Sequence, residues 1–168
     1  MNLIKDFQEL PQDEINELVR NFRPTQKKGL VKDMTPNVTY VNEYNKQFID
    51  VSNNLVEKVK NIIQPHFPSE KIVFRFARLN KVETDTNPSD GFHTDLGSGN
   101  IIFLHYPKSN PSYEGGDFEI KNGERIHPIN GLNLILIDNP PHRVLNVTNG
   151  ERYSFAFFFM KFKQTAIL

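Results

Sequence analysis

The chain has 168 residues, with 20 basic and 20 acidic side chains and therefore no formal net charge. This length suffices for one core and is short for two ordinary domains, so we expect a single domain over residues 1–168. A balanced charge disfavours a dedicated nucleic-acid-binding protein, because such proteins display a basic surface. The absence of cysteine excludes disulfides, thiolate metal sites and cysteine nucleophiles.

The N-terminal sequence mixes charged and apolar side chains and lacks the continuous apolar core of a signal peptide. No apolar run approaches the length needed to span a membrane. We therefore expect a cytoplasmic protein without a membrane partner. Its oligomeric state is left open by the sequence.

Residues 1–70 predict a helical N-terminal support. Apolar residues recur at helical spacing in two segments, Ile15, Leu18, Val19 and Phe22, and then Phe48, Val51, Leu55, Val59 and Ile62. Between them, residues 24–44 predict a loop with one short strand at 38–41. A basic cluster, Arg20, Arg23, Lys27, Lys28 and Lys32, is either a solvated face or a contact surface for an acidic partner.

Residues 71–163 predict a β-rich core. Eight short β-prone runs are separated by turn residues at intervals of about ten, a spacing typical of sandwiches and barrels. The runs are KIVFRFARL, GFHTDL, NIIFLHY, GDFEIK, ERIHPI, LNLILID, HRVLNV and ERYSFAFFFMKF. Asn122-Gly123 predicts a hairpin turn, whereas Gly115-Gly116 predicts a tight entry into a strand. We expect a mainly β jelly roll with the N-terminal helices packed on one sheet.

The first chemical signal is His93-Thr94-Asp95. Residues i and i+2 of a strand project from one face, so this spacing aligns an imidazole with a carboxylate. His142 begins a later strand that can cross beside the first. Two histidines and one carboxylate form the facial triad that holds non-haem Fe(II) while leaving coordination positions open. The sequence therefore predicts an iron site on His93, Asp95 and His142.

A second signal is Arg152, at the start of the last and most apolar strand. An arginine at the head of an inward, Phe-rich strand is costly unless it meets an anion, and its planar fork suits a carboxylate. The alternative is a rim residue paired with an acid such as Glu151.

Taken together, these residues resemble the Fe(II)- and 2-oxoglutarate-dependent oxygenase superfamily. The pattern is His93-x-Asp95, then His142, then Arg152 ten residues later with Ser154 two beyond. The stretch from Tyr113-Glu114-Gly115-Gly116-Asp117-Phe118 to Gly150-Glu151-Arg152-Tyr153-Ser154 is similar in particular to the prolyl 4-hydroxylase branch. That branch often has a lysine where this chain has Arg152. The resemblance covers approximately residues 72–162.

The resemblance implies a double-stranded β-helix, cupin-like in form, with iron on the predicted triad. It implies that Arg152 binds the distal carboxylate of 2-oxoglutarate, the cosubstrate, and that O₂ is consumed, with ascorbate as a supporting reductant. Asp95 argues against the related halogenases, which have a small residue at that position. The implied activity is a dioxygenase that hydroxylates an unactivated C–H bond.

Further residues are predicted near this site. Ser154 shares a strand face with Arg152 and is either a second cosubstrate contact or an inward small residue. Of His105 and Tyr106, which alternate, we favour Tyr106 as the cavity residue and cosubstrate contact. Arg78 is either a substrate contact or part of a surface ion pair. The segments 80–91 and 107–115 are candidates for a substrate lid.

Two functions from different classes remain open. The first is an active hydroxylase, acting on a peptidyl residue such as proline or, alternatively, on a free amino acid or small metabolite. The second is a catalytically silent jelly roll that uses the same cavity as a binding module. Nucleic acid is disfavoured as a substrate by the neutral charge balance.

Overall fold

The computed structural model describes residues 2–23, 46–84, 91–95 and 100–164. The elements are β1 (Leu3–Asp6), α1 (Gln12–Arg20), β2 (Lys46–Ile49), α2 (Asn53–Ile63), a short 3₁₀ turn (Gln64–His66), β3 (Glu70–Glu83), β4 (Ile101–His105), β5 (Glu114–Gly115), β6 (Phe118–Ile120), β7 (Arg125–Ile126), β8 (Asn133–Ile137), β9 (His142–Val144), β10 (Val147–Asn149) and β11 (Glu151–Lys163). The molecule is mainly β, as predicted.

A six-stranded antiparallel sheet, in the order β1-β8-β4-β11-β3-β2, forms the larger layer. A three-stranded sheet, β7-β6-β9, and a two-stranded ribbon, β10-β5, complete the β-structure of the described residues. Asn122-Gly123 makes the predicted hairpin turn between β6 and β7, with Asn122 at φ 58° and the Gly123 amide donating to the Ile120 carbonyl at 3.0 Å.

The large sheet buries both of its faces, and β11 illustrates how. Phe155, Phe157 and Phe159 lie on one face in a core with the helices, while Ala156 and Phe158 lie on the other with Phe118 of the small sheet. A continuous apolar strand is what burial on both faces requires. The helices therefore cover one face, and the other face looks toward the small sheet.

The helices are fixed against each other at their N-termini. Ser52 caps α2 by accepting a hydrogen bond from the Leu55 amide at 3.1 Å. The Glu14 carboxylate of α1 accepts from both the backbone amide and the hydroxyl of Ser52. Ile15 of α1 and Leu55 of α2 are fully buried in the shared core, as their spacing predicted.

A bulge interrupts the pairing of β3 with β11. Phe158 is opposite Phe76, but Phe159 is opposite Phe74, so β3 has one residue more than β11 at this point. The extra residue puts Phe74 against Phe159 on the helix face, while Phe76 stacks on Phe158 on the opposite face.

The N-terminal segment is not purely helical, which corrects the prediction for residues 1–70. β1 and β2 form the two edges of the large sheet, and Phe48 belongs to β2, not to the second helix. Predicted strand HRVLNV divides into β9 and β10. The predicted strand at 38–41 and the lysines of the basic cluster lie outside the described residues. Within the described residues, no helix is long and apolar enough to cross a membrane.

Candidate active site

A cavity of about 520 Å³ lies beside the face of the large sheet that looks toward the small sheet. The side chains that carry its chemistry come from both layers and from the segment before β4. They are His93, Asp95, His142, Arg152, Ser154 and Tyr106. Every residue predicted for the iron and cosubstrate sites therefore lines one space.

His93, Asp95 and His142 converge at one wall of the cavity. One ligand atom from each lies within 4.8 Å of the other two, and His142 Nε2 is 3.2 Å from Asp95 Oδ2. Two donor atoms bound at right angles to a divalent first-row ion, each about 2.1 Å from it, lie roughly 3 Å apart. The spacing fits a shared cation.

The backbone that presents the triad differs from the predicted strand. His93 forms an isolated antiparallel bridge with His142, and each amide donates to the other's carbonyl at 2.9 Å. The Asp95 amide donates to Asn139 Oδ1 at 2.9 Å, and Asn139 is itself held at φ 52° before Pro140. Because the two segments are tied to each other, their ligands are positioned together without a full strand.

The imidazoles are also oriented by hydrogen bonds. His142 Nδ1 lies 2.7 Å from the Pro140 carbonyl, and His93 Nδ1 lies 3.3 Å from the Gly91 carbonyl. A carbonyl accepts, so these contacts assign the proton to Nδ1 and leave the Nε2 lone pair for a metal. The ring of Phe118 stacks on His142, with centroids 5.4 Å apart, and restricts its rotation.

Electrostatics favours a neutral His93 and an ionised Asp95. Burial, and then the neighbouring His142, lower the pKa of His93 below its usual value. Burial alone would raise the pKa of Asp95, but the interaction with His142 and the charge of Arg78 outweigh it, and the pKa falls. A neutral imidazole and an ionised carboxylate are the forms that bind divalent cations.

Arg152 is among the most deeply buried side chains, at 1% exposure. Its Nη1 donates to the Gly116 carbonyl. Its Cζ lies 5.1 Å from the Tyr106 ring centroid and 5.3 Å from that of Tyr113. Among the described residues no carboxylate pairs with Arg152, and its buried Nε has no hydrogen-bond partner. The alternative of a rim ion pair with Glu151 is wrong, because Glu151 pairs with Lys81 at 3.2 Å.

A buried guanidinium without an acid is expensive unless an anion completes it. Arg152 lines the same cavity as the metal triad and keeps an Nε–H without a partner among the described residues, so the donor set fits a carboxylate ligand placed beside a metal ion. Ser154 lies on the same strand face two residues away and also lines the cavity. Its hydroxyl supplies a further donor.

Strand alternation places Tyr106 in the cavity and His105 away from it. His105 is buried, and its Nδ1 lies 2.7 Å from Asn133 Oδ1. Asn133 Nδ2 in turn donates to Asp6 Oδ2 at 2.8 Å. Burial lowers the pKa of His105 from 6.5 to about 4 and raises that of Tyr106 to about 12, so both side chains are neutral near pH 7.

Arg78 lines the cavity from the middle of β3, with its Cζ 5.3 Å from the Phe158 ring centroid. Part of the predicted lid is regular structure. Residues 80–83 belong to β3, and residues 85–90 lie outside the described residues. In segment 107–115, Asn110 exchanges two hydrogen bonds with the Tyr153 backbone, at 2.8 and 2.9 Å. This fastening argues against a mobile lid at 107–115.

Sequence reasoning missed three contributors to the site. Tyr113 contacts Arg152 through its ring and donates its hydroxyl to the Pro128 carbonyl. Asn139 binds the Asp95 amide, and Gly116 accepts from Arg152. The Gly115-Gly116 pair and the Asn139-Pro140-Pro141 run were visible as turn signals, but a turn signal does not reveal which side chain the turn serves.

No protein-family model matches the sequence, and no curated protein matches it at a significant level. Solved structures do match in shape. A viral collagen prolyl hydroxylase from Paramecium bursaria Chlorella virus-1 aligns with a TM-score of 0.65 and 14% identity, over 95% of this chain and 90% of that one.

Two bacterial structures match as well. A prolyl-4-hydroxylase from Pseudomonas putida aligns with a TM-score of 0.59 and 14% identity, over 97% of this chain and 93% of that chain. A 2OG-Fe(II) oxygenase family oxidoreductase from Burkholderia pseudomallei aligns with a TM-score of 0.50 and 16% identity, over 68% and 65%. The chain therefore has the fold of prolyl 4-hydroxylase-like enzymes, and the predicted double-stranded β-helix is confirmed.

Proposed function

We propose that the protein is an Fe(II)- and 2-oxoglutarate-dependent dioxygenase that hydroxylates an unactivated C–H bond. The observation that carries the proposal is the buried guanidinium of Arg152, which lacks an acidic partner among the described residues and faces the cavity of a His-Asp-His triad. The triad and the guanidinium line the same cavity, so they fit a ligand that binds the metal ion with one end and Arg152 with the other. 2-Oxoglutarate, with a carboxylate at both ends and a keto group beside one, is such a ligand.

Each residue then has a defined task. His93, Asp95 and His142 hold the iron on one side, so that coordination positions remain for cosubstrate and O₂. Arg152 pairs with the distal carboxylate, and Ser154 donates to the same group. When bound, iron and 2-oxoglutarate together supply the oxidising power that inserts one oxygen atom from O₂ into a C–H bond, with 2-oxoglutarate leaving as succinate and CO₂.

Part of the cavity wall is apolar. Ile102, Leu104 and Leu136 line the cavity from the large sheet, and Phe118 lines it from the small sheet. An apolar wall strengthens the pairing of Arg152 with a carboxylate, because charges attract more strongly beside a medium of low dielectric constant. Tyr106, neutral because its pKa is raised to about 12, can donate a hydrogen bond into this space without adding charge.

For the substrate we propose a peptidyl residue, with proline first. The support is the likeness in fold to prolyl hydroxylases across nearly the whole chain. A free amino acid is the second candidate, because Arg78 and Lys46 also line the cavity, and a free amino acid brings a carboxylate that such cations recognise.

The test of the activity is 2-oxoglutarate decarboxylation with Fe(II), O₂ and ascorbate, followed as succinate formed. We expect turnover by the wild type and none by Asp95→Ala, whose fold is checked by circular dichroism. A wild-type protein that binds Fe(II) but neither binds nor decarboxylates 2-oxoglutarate would overturn the proposal and favour the silent binding module.

The test of the substrate is a screen of proline-containing peptides and free amino acids in one assay, read by mass spectrometry for one added oxygen atom. Peptide products alone support the peptidyl proposal. Products from free amino acids alone support the second candidate. The screen includes Arg78→Ala, which we expect to weaken turnover of free amino acids more than that of peptides.

A further inference from the structure

Gly116 lies directly against the end of Arg152, in the turn between β5 and β6. Its amide donates to the Asn146 carbonyl at 2.8 Å, and its own carbonyl accepts from Arg152 Nη1. Its backbone is in the left-handed region, at φ 72°. Both polar groups of this residue are therefore engaged, and the two peptide planes that meet at Gly116 are held, one by the segment before β10 and one by the guanidinium.

The absence of a side chain at Gly116 makes room for that guanidinium. A Cβ built at this position would lie 2.8 Å from Arg152 Nη1, 3.0 Å from Val147 Cγ2 and 3.4 Å from Arg152 Cζ. A separation of 2.8 Å is too short for such a pair, so one group would have to move. The Gly116 backbone is held at both its amide and its carbonyl, whereas Arg152 Nη1 ends a long side chain.

The displaced group would be the guanidinium. It lies between the rings of Tyr106 and Tyr113, 5.1 and 5.3 Å from their centroids, which limits the directions it can take. A shift changes the direction of its Nε, the buried donor that has no partner within the described residues. A fork that binds a carboxylate with two N–H groups depends on both directions at once.

We infer that Gly116 is a positioning residue for the anion site. Its carbonyl holds Nη1, and its missing side chain leaves the fork aimed at the distal carboxylate of the cosubstrate. The inference rests on the proposed function for the identity of that anion. The contact between Gly116 and Arg152 stands on the structure itself.

The experiment compares Gly116→Ala with wild type by calorimetry, titrating 2-oxoglutarate into the Fe(II)-loaded protein without oxygen. We expect about ten- to a hundredfold weaker binding, the range that one impaired hydrogen bond to a charged group allows. Iron affinity is measured in parallel and should be unchanged. In the absence of cosubstrate, the nitrogen-15 NMR signal of Arg152 Nε–H should shift in the variant.

The matched control is Gly131→Ala. Gly131 is also left-handed, at φ 91°, so the substitution imposes similar backbone strain. Its built Cβ meets only the Lys108 side chain, at 3.4 Å. We expect Gly131→Ala to lower stability through backbone strain alone while leaving 2-oxoglutarate affinity at the wild-type value.

A double-mutant cycle isolates the contact. Lysine has no Nη1, so in the Arg152→Lys background the added Gly116→Ala should change 2-oxoglutarate affinity by less than about threefold. Full additivity of the two substitutions, or equal loss of affinity in both glycine variants, would overturn the inference. If the wild type binds no 2-oxoglutarate, the proposed function fails, while an unshifted Arg152 Nε–H signal in Gly116→Ala would overturn the positioning role separately.

Discussion

Arg152→Ala separates cosubstrate binding from iron binding. In the wild type we expect the distal carboxylate of 2-oxoglutarate to pair with a guanidinium that is 1% exposed and flanked by two tyrosine rings. Truncation leaves that carboxylate in the cavity without its partner. Breaking one side of a buried charge pair costs about 3 to 5 kcal/mol, which corresponds to roughly two to four orders of magnitude in affinity.

Two features of the structure place the effect at the lower end of that range. The cavity of about 520 Å³ has room for water to replace part of the lost side chain. Ser154 also remains as a donor on the same face. Arg152→Lys keeps the charge but loses the planar fork, so we expect an intermediate loss of affinity.

The assay is anaerobic calorimetry of 2-oxoglutarate binding to the Fe(II)-loaded variants, with Fe(II) affinity as the internal control. Iron binding should be unchanged, because Arg152 is not a ligand in the triad. Arg152→Met adds a stability readout: it fills similar space without a buried charge, so the protein without cosubstrate should be as stable as wild type or more so.

An Arg152→Ala protein with unchanged affinity for 2-oxoglutarate would refute this reasoning. Arg78 would then be the next candidate for the carboxylate, or the cosubstrate would have been misidentified. A large loss of stability in Arg152→Met would instead indicate that the guanidinium serves the fold.

Three further outcomes are expected. Asp95→Glu should retain metal but lower the rate of 2-oxoglutarate decarboxylation about a hundredfold, since one added methylene displaces the carboxylate from its position on the ion; an unchanged rate would argue against direct ligation. Ser154→Ala should weaken 2-oxoglutarate binding by about 1.5 to 3 kcal/mol at most, less than Arg152→Ala, and a larger loss by calorimetry would contradict a single hydrogen bond. Burial lowers the pKa of His105 from 6.5 to about 4, so the unfolded chain binds a proton at this residue more readily than the folded chain does. The free energy of unfolding should therefore fall by about 3 kcal/mol as the pH is lowered from above 6.5 toward 4. Denaturant unfolding of wild type and His105→Gln across this interval should show a shallower pH dependence in the variant, and equal slopes would exclude His105 as the cause.

The β-core and the placement of the predicted site residues in one cavity followed from local rules. The alternation of side chains along β11 brings Arg152 and Ser154 to one face and Phe155, Phe157 and Phe159 to the other. Asn122-Gly123 produces its turn wherever two strands flank it. Such features depend on near neighbours in the sequence, and these are visible without a fold.

The features that escaped prediction depend on distant partners. Leu3–Asp6 is a strand because β8 offers a sheet edge, with Leu3 opposite Leu136, and its four residues carry little strand pattern of their own. The spacing of Phe48 matches the apolar face of α2, but Ser52 caps that helix, so Phe48 lies outside it. His93 is held by one bridge to His142, a contact that spacing within His93-x-Asp95 cannot reveal.

The bulge between β3 and β11 divides their pairing into two lengths, one that runs to Glu83 and one that runs to Glu70. On the side of the bulge toward Glu83, β3 contributes Arg78 and Asn80 to the cavity, whereas beyond it Phe74 serves the helix layer. An insertion or deletion confined to the Phe74 side alters how the helices dock, while the pairing of Arg78 with Ala156 keeps the cavity face in register. We therefore expect a one-residue length change at this point to shift the packing of the helical layer and to leave Arg78 and Asn80 in place at the cavity.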